Sequence, residues 1–179
     1  ELVCNLGAFD CVTFVENVLA LSRCIKGNRL AYEAYQRELR TLRYRGGVLN
    51  GYGSRLHYFT DWIGDNERKG IVRDVTREIG GVPLRSPIGF MSEHRSSYPK
   101  LADSATFAEI RRREDSLSRT ERVYLPKAIL PSRDRLIENG DLIAITTSTP
   151  GLDVSHTGIA IRIENGSLHY LHAPEVGRR

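Results

Sequence analysis

Three side chains near the two ends of this sequence could perform nucleophilic chemistry together. Cys11 stands in Phe9-Asp10-Cys11-Val12-Thr13-Phe14-Val15-Glu16. There Asp10 is a good N-cap, and Phe14, Val15, Val18 and Leu19 recur at helical spacing. A thiol in the first turn of a helix sits at the positive end of the peptide dipoles. That end favours the thiolate, which is the nucleophilic form. His156, in Ser155-His156-Thr157-Gly158-Ile159, and His172, in Leu171-His172-Ala173-Pro174, lie near the other end. One imidazole could take the thiol proton and return it to a leaving amine, while the second holds the first in its working tautomer. The Cys11 N–H has no acceptor within a helix and so suits a developing oxyanion. A second donor is expected from the segment Tyr52 to Tyr58, with Tyr58 and His57 as candidates. This chemistry requires no cofactor.

Each residue also has a plainer reading. A cysteine on a helix is usually a small core residue, which is how Cys24 is read. A histidine before a glycine can be a strand-end hydrogen bonder, and His172 could be a packed core histidine. His94 falls in an irregular stretch and reads as surface. A zinc site could nominally draw on His156, His169, His172 and Asp153. However, His169 and His172 are three apart on an expected strand and point to opposite faces, and no His-Glu-x-x-His occurs. A serine hydrolase would need a nucleophile elbow, and no Gly-x-Ser-x-Gly is present. A binding module that has lost activity is the remaining class; the intact Cys11, His156 and His172 argue against it. Cys4 and Cys24 could form a disulfide or be two separate buried thiols.

The elements that must position these groups can be read in outline. Asp10 to Gly27 is a helix, and Arg29 to Tyr44 a second one with Ala31, Tyr35, Leu39 and Leu42 as its apolar stripe. Residues 48–70, rich in Gly, Tyr, His and Asp, read as loop. Their aromatic and polar groups suggest a substrate-contacting surface that includes Tyr52, His57, Tyr58, Asp61 and Trp62. Residues 71–79 are ambiguous between strand and helix. Pro83, Pro87 and Pro99 mark an irregular connection, and Ser104 to Arg119 a polar helix anchored by Phe107, Ile110 and Leu117. Short strands follow at 123–125 and 141–147, then a hairpin of 155–163 and 168–172 about Asn165-Gly166. Helices first and an antiparallel sheet last make an α+β arrangement. One domain over 1–179 is expected, with an irregular insertion at about 48–103.

The hairpin carries a parity argument. The two histidines are 172 − 156 = 16 residues apart. A two-residue turn at Asn165-Gly166 would pair Ile159 with His172 and send His156 to the opposite face. A three-residue loop, Glu164-Asn165-Gly166, would pair Gly158 with His172 and put both imidazoles on one face, with Gly166 in the left-handed position. The proposed pair therefore demands an odd loop, or an even one with a compensating bulge.

Bulk composition excludes several classes. No apolar run approaches the roughly 18 residues that span a membrane. The net charge of +4 is dispersed, as in Arg111-Arg112-Arg113 followed by Glu114-Asp115, and forms no nucleic-acid stripe. The chain starts at Glu1 and its only methionine is Met91, so a removed leader is expected.

Asp10-Cys11 on a helix, then His156-Thr157-Gly158-Ile159, then His172-Ala173 on strands, resembles the NlpC/P60 superfamily, which comprises papain-like cysteine peptidases and amidases of bacterial cell walls. The segments 54–63, Asn139-Gly140-Asp141-Leu142-Ile143 and Gly151-Leu152-Asp153-Val154-Ser155-His156 further resemble the DUF1460 family, described as N-acetylmuramoyl-L-alanine amidase-like. Pro174 departs from the usual Ala-Ser, and one more strand is expected where the chain ends. The resemblance implies a papain-like NlpC/P60 fold with N-terminal helices packed on an antiparallel sheet. It also implies an extracytoplasmic amidase acting as a monomer on peptidoglycan or muropeptides, with Cys11, His156 and His172 as catalytic residues. The implied bond joins N-acetylmuramic acid to L-alanine; the alternative is the stem-peptide bond from D-glutamate to the diamino acid.

Overall fold

A computed structural model describes residues 2–174 of the chain. Helix α1 (Cys11–Lys26) begins where its cap predicts. The Asp10 carboxylate accepts from the Thr13 N–H at 2.7 Å, and Thr13 Oγ1 accepts from the Asp10 N–H at 2.9 Å. This capping box satisfies two donors that the helix itself cannot. Phe9 and Phe14 meet edge to face with ring centroids 6.3 Å apart, a hydrophobic staple that fixes how the chain enters the helix. Helix α2 (Tyr32–Arg43) packs along α1. Its buried stripe is Ala34, Tyr35, Leu39 and Leu42, whereas Ala31 is an exposed N-cap.

Glu16 ties α1 both to α2 and to the segment beyond it. It is fully buried on α1, accepting from Arg43 Nε at 2.6 Å and from Arg55 Nη1 at 2.7 Å. Two arginines on one buried carboxylate complete a charge group that would be costly to leave unpaired.

The reading of residues 48–70 as loop needs correction. A 3₁₀ turn at Tyr52–Ser54 is followed by helix α3 (Phe59–Arg68). The expectation fails because α3 buries polar groups along with its aromatics, which blurs the 3.6-residue pattern. Asp61, Asp65 and Asn66 are buried, and each has internal partners: Asp61 chelates Arg45 at 2.8 and 2.6 Å, Asp65 pairs with Lys69 at 2.7 Å, and Asn66 donates to the Leu42 carbonyl at 3.1 Å. The α3 N-terminus lacks a side-chain cap of its own, and Asp153, far along the chain, supplies one, accepting from the Thr60 N–H at 2.7 Å.

Residues 71–79 form neither strand nor helix. Strand β1 (Val82–Leu84) pairs antiparallel with β2 (Arg122–Tyr124) as a separate ribbon. Between them lie a single turn α4 (Phe90–Glu93) and the long helix α5 (Ser104–Arg119), which is capped by Asp103. After the short α6 (Leu130–Arg133) come β3 (Leu142–Thr146), β4 (Val154–Arg162) and β5 (Leu168–Leu171), an antiparallel sheet in the order β3-β4-β5.

The described residues hold two apolar clusters. The first joins α1, α2 and α3 through Ala20, Cys24, Tyr35, Leu39, Leu42, Phe59 and Trp62, and Leu142, Ala144 and Val154 of the sheet pack against it. The second gathers Tyr58, Ile88, Met91, Leu101, Ile110 and Leu117 around α4 and α5. The chain is thus a mixed fold of helices with an antiparallel sheet, and α1 lies against the central strand β4.

Candidate active site

The hairpin resolves the parity question. β4 and β5 pair Ile159 with Leu171, Ala160 with Tyr170 and Ile161 with His169. Continued by one residue, this register sets Gly158 opposite His172. The Ile163 N–H bonds the Ser167 carbonyl and the Gly166 N–H bonds the Ile163 carbonyl, which encloses a three-residue loop with Gly166 at φ 82°. His156, Gly158, Tyr170 and His172 therefore share one face of the sheet. Across that face His156 Nε2 and His172 Nδ1 are 2.8 Å apart, a hydrogen bond between the two imidazoles with ring planes at 82°. His169 has the opposite parity and falls on the other face.

Cys11 comes to this face from α1. It is a half-buried free thiol at the first helical position. Its sulfur acts electrostatically on the Tyr170 hydroxyl, and the Tyr170 ring lies 5.8 Å from His156 and 5.0 Å from His172. Burial, followed by the neighbouring His172, holds the His156 imidazolium below its ordinary range. The ring is therefore neutral at neutral pH, as a base must be. Because α1 begins at Cys11, the N–H of Cys11 is not used by the helix.

A cavity of about 280 Å³ opens beside the start of α1, lined by Phe9, Asp10, Thr13 and Arg43 among others, with neither Cys11 nor the histidines in its wall. Cys24 is buried in the first core cluster, Cys4 packs against that cluster, and both are free thiols. Asp153 is occupied as the α3 cap.

The segment expected to face substrate is placed differently. Trp62 is 1% exposed and stacked on Phe59 at 4.9 Å, so its indole is core. Asp61 is held by Arg45. The Tyr58 hydroxyl donates to Glu114 at 2.7 Å and accepts from the Met91 N–H at 2.9 Å. Its oxygen is committed to pinning α4 and α5. His57 lies against Tyr52 with ring centroids 4.4 Å apart and planes tilted by 41°, and its Nε2 is 3.0 Å from the Tyr52 carbonyl. Burial above all pushes its pKa down to about 4, with the Tyr52 carbonyl opposing. Among the described residues, no hydrogen bond or ring contact joins 52–62 to Cys11, His156 or His172. The aromatics of this segment read as surface in the sequence because loops commonly display them; here a helix turns them inward. Tyr170 is the residue that sequence reasoning misses, although its even separation from His172 places it on the same face.

Helices packed with an antiparallel sheet make a mixed fold close to those of amidase-like structures. The chain belongs to the AmiA-like family, described as N-acetylmuramoyl-L-alanine amidase-like, which matches residues 1–178. Among solved structures it is similar to an N-acetylmuramoyl-L-alanine amidase from Bacteroides uniformis ATCC 8492. In one crystal structure the likeness is 44% identity over 98% of this chain and 74% of that one, with a TM-score of 0.90. In another it is 41% identity over 98% and 75%, with a TM-score of 0.87. It is equally similar to a Bacteroides fragilis protein provisionally named a xylanase, at 43% identity over 98% and 77%, TM-score 0.90. No curated protein sequence matches the chain.

Proposed function

We propose that this chain is a cysteine amidase of the papain-like NlpC/P60 type, in the DUF1460 branch, acting in the cell envelope on the amide between N-acetylmuramic acid and L-alanine. The observation that carries the reading is the 2.8 Å contact between His156, on the strand against which α1 lies, and His172. We assign the tautomer: with Nε2–H of His156 donating to His172 Nδ1, Nδ1 of His156 is left as the base. His156 takes the Cys11 proton, and the thiolate attacks the lactyl carbonyl. The Cys11 N–H donates to the resulting oxyanion, and His156 then protonates the departing alanine amine. Water, deprotonated by the same imidazole, hydrolyses the thioester and restores the thiol.

The bond is inferred from the family description and the Bacteroides uniformis amidase. Defined muropeptides test it: a new alanine amine identified by mass supports the reading, and a new diamino-acid amine transfers the activity to the stem peptide. Cys11→Ala should abolish hydrolysis without loss of fold, whereas Cys24→Ala should leave turnover within a few-fold. Full activity in Cys11→Ala would end the cysteine mechanism.

A further inference from the structure

His156 owes its direction to a bulge. β3 and β4 pair Ala144 with Thr157 and Ile145 with His156, but the next pair is Thr146 with Val154. The register skips Ser155, so β4 carries one residue more than β3 just before the histidine. The core shows what that extra residue does. Ala144 and Val154 both pack against the first apolar cluster. Thr157 faces Ala144 and is fully buried, so it shares their side of the sheet. Val154 and Thr157 are three apart, and a regular strand would send them to opposite faces. A regular strand would also keep Val154 and His156, two apart, on one face. With Val154 in the core, the imidazole would be turned into the core too, away from His172. The bulge reverses the parity between them.

The extra residue stays at 155 only while β4 is fixed on both sides of it. Beyond it, the ladder with β3 holds the strand. Before it, the fixed point is Asp153, whose side chain is buried. Its Oδ2 accepts from the Thr60 N–H at 2.7 Å, and its Oδ1 from the Val154 N–H at 2.8 Å. One oxygen grips the N-terminus of α3, where the peptide dipoles favour an anion, and the other grips the first peptide of β4. Sliding the start of β4 by one residue, which would erase the bulge, would carry the carboxylate about 3.3 Å from Thr60 and break that bond.

The geometry points to Asp153 as a positioning residue for His156: by anchoring the start of β4 on α3 it keeps the bulge at Ser155, and so turns the imidazole from the core to the face it shares with His172. Its action runs through the backbone of β4. The inference rests on the reading of His156 as the base, and the test separates the two.

Asp153→Ala removes both bonds. Asp103→Ala is the control for a lost helix cap as such, since Asp103 accepts from the Thr106 N–H at 2.8 Å at the start of α5. The imidazole ¹⁵N shifts of His156, assigned by their loss in His156→Gln, report the hydrogen bond to His172. In Asp153→Ala that signature should disappear and kcat should fall roughly 100-fold, as for a misplacement near 1 Å, in a protein that still melts cooperatively. In Asp103→Ala the signature should persist and turnover stay within two-fold. If Asp153→Ala does not fold, Asp153→Asn decides by the same measurements: its single amide oxygen can accept from only one of the two N–H groups, and the same losses are expected. Wild-type shifts in the folded Asp153 variant overturn the proposal, and so do equal losses in Asp103→Ala. Failure of the underlying reading looks different: turnover that survives His156→Gln ends it, while the comparison of shifts still stands.

Discussion

Gly158 is the narrowest point between the two strands that carry the histidines, and Gly158→Ala should damage the site more than the fold. A Cβ at residue 158 would lie 2.5 Å from the Leu171 carbonyl oxygen and 2.7 and 2.8 Å from Tyr170 Cε2 and Cζ. An ordinary carbon-to-oxygen approach is about 3.3 Å, so β5 must retreat by roughly 0.8 Å, and the obstructing atom is backbone that cannot rotate away. The same retreat would stretch the 2.8 Å contact between the imidazoles to roughly 3.6 Å, beyond hydrogen-bonding range. A misplacement near 1 Å costs on the order of 100-fold in rate, so kcat/KM should fall by about that factor. Overpacking costs about 1–3 kcal/mol, offset in part by the stiffer unfolded chain. For a protein of this size that lowers the melting point by roughly 2–12 °C. Gly166→Ala is the control. Its φ is 82° with nothing within 4 Å, so it carries backbone strain of about 1–2 kcal/mol and no contact with the pair. Turnover there should stay within two-fold. Thermal melts and muropeptide hydrolysis measure both. Wild-type turnover in Gly158→Ala would refute the argument that strand spacing sets the histidine pair.

Two further outcomes concern titration. The rising limb of kcat/KM against pH should have its midpoint below the usual 6.5, because His156 is depressed and must be neutral to act; His172→Gln should raise that midpoint and cut kcat by roughly 100-fold, and a midpoint left in place would deny His172 its influence. His57 should make stability pH-dependent: its pKa is about 4 when folded against 6.5, so its contribution is present above pH 6.5 and is lost as pH falls towards about 4. The full span is up to about 3 kcal/mol, since each unit is 1.36 kcal/mol, and His57→Gln should flatten denaturation free energy across that window.

What is legible in the sequence is what is locally encoded. Asp10 with Thr13 three residues on fixes the start of α1, and with it the place of Cys11. Ser104 to Arg119 matches α5 at both ends because Asp103 caps it and its few anchors keep helical spacing. The odd loop at Glu164-Asn165-Gly166 is one of the two arrangements that a shared histidine face demands, the other being an even loop with a bulge. The failures share a different physics. Helix α3 is stabilised by partners far along the chain: Arg45, the Leu42 carbonyl and Asp153. No local pattern reports such partners, so buried Asp61, Asp65 and Asn66 read as surface. The partners of Tyr58 are hidden for the same reason, since Glu114 and Met91 are 56 and 33 residues away.

The two histidines are not equally secured. His156 lies on β4, which is paired on both sides, with Ile145 across from it on β3. His172 lies just past the end of β5, which among the described residues pairs only with β4, and is exposed. An edge strand of four residues opens more easily than a central one of nine. The orientation of His172 therefore depends on its ring neighbours, the hydrogen-bonded His156 and the stacked Tyr170. Gly158 lets that ring come down onto the sheet, and the odd loop brings Tyr170 and His172 to the same side. Close approach, parity and stacking thus act on one side chain. A buried, unpaired hydroxyl on Tyr170 is what this arrangement leaves behind.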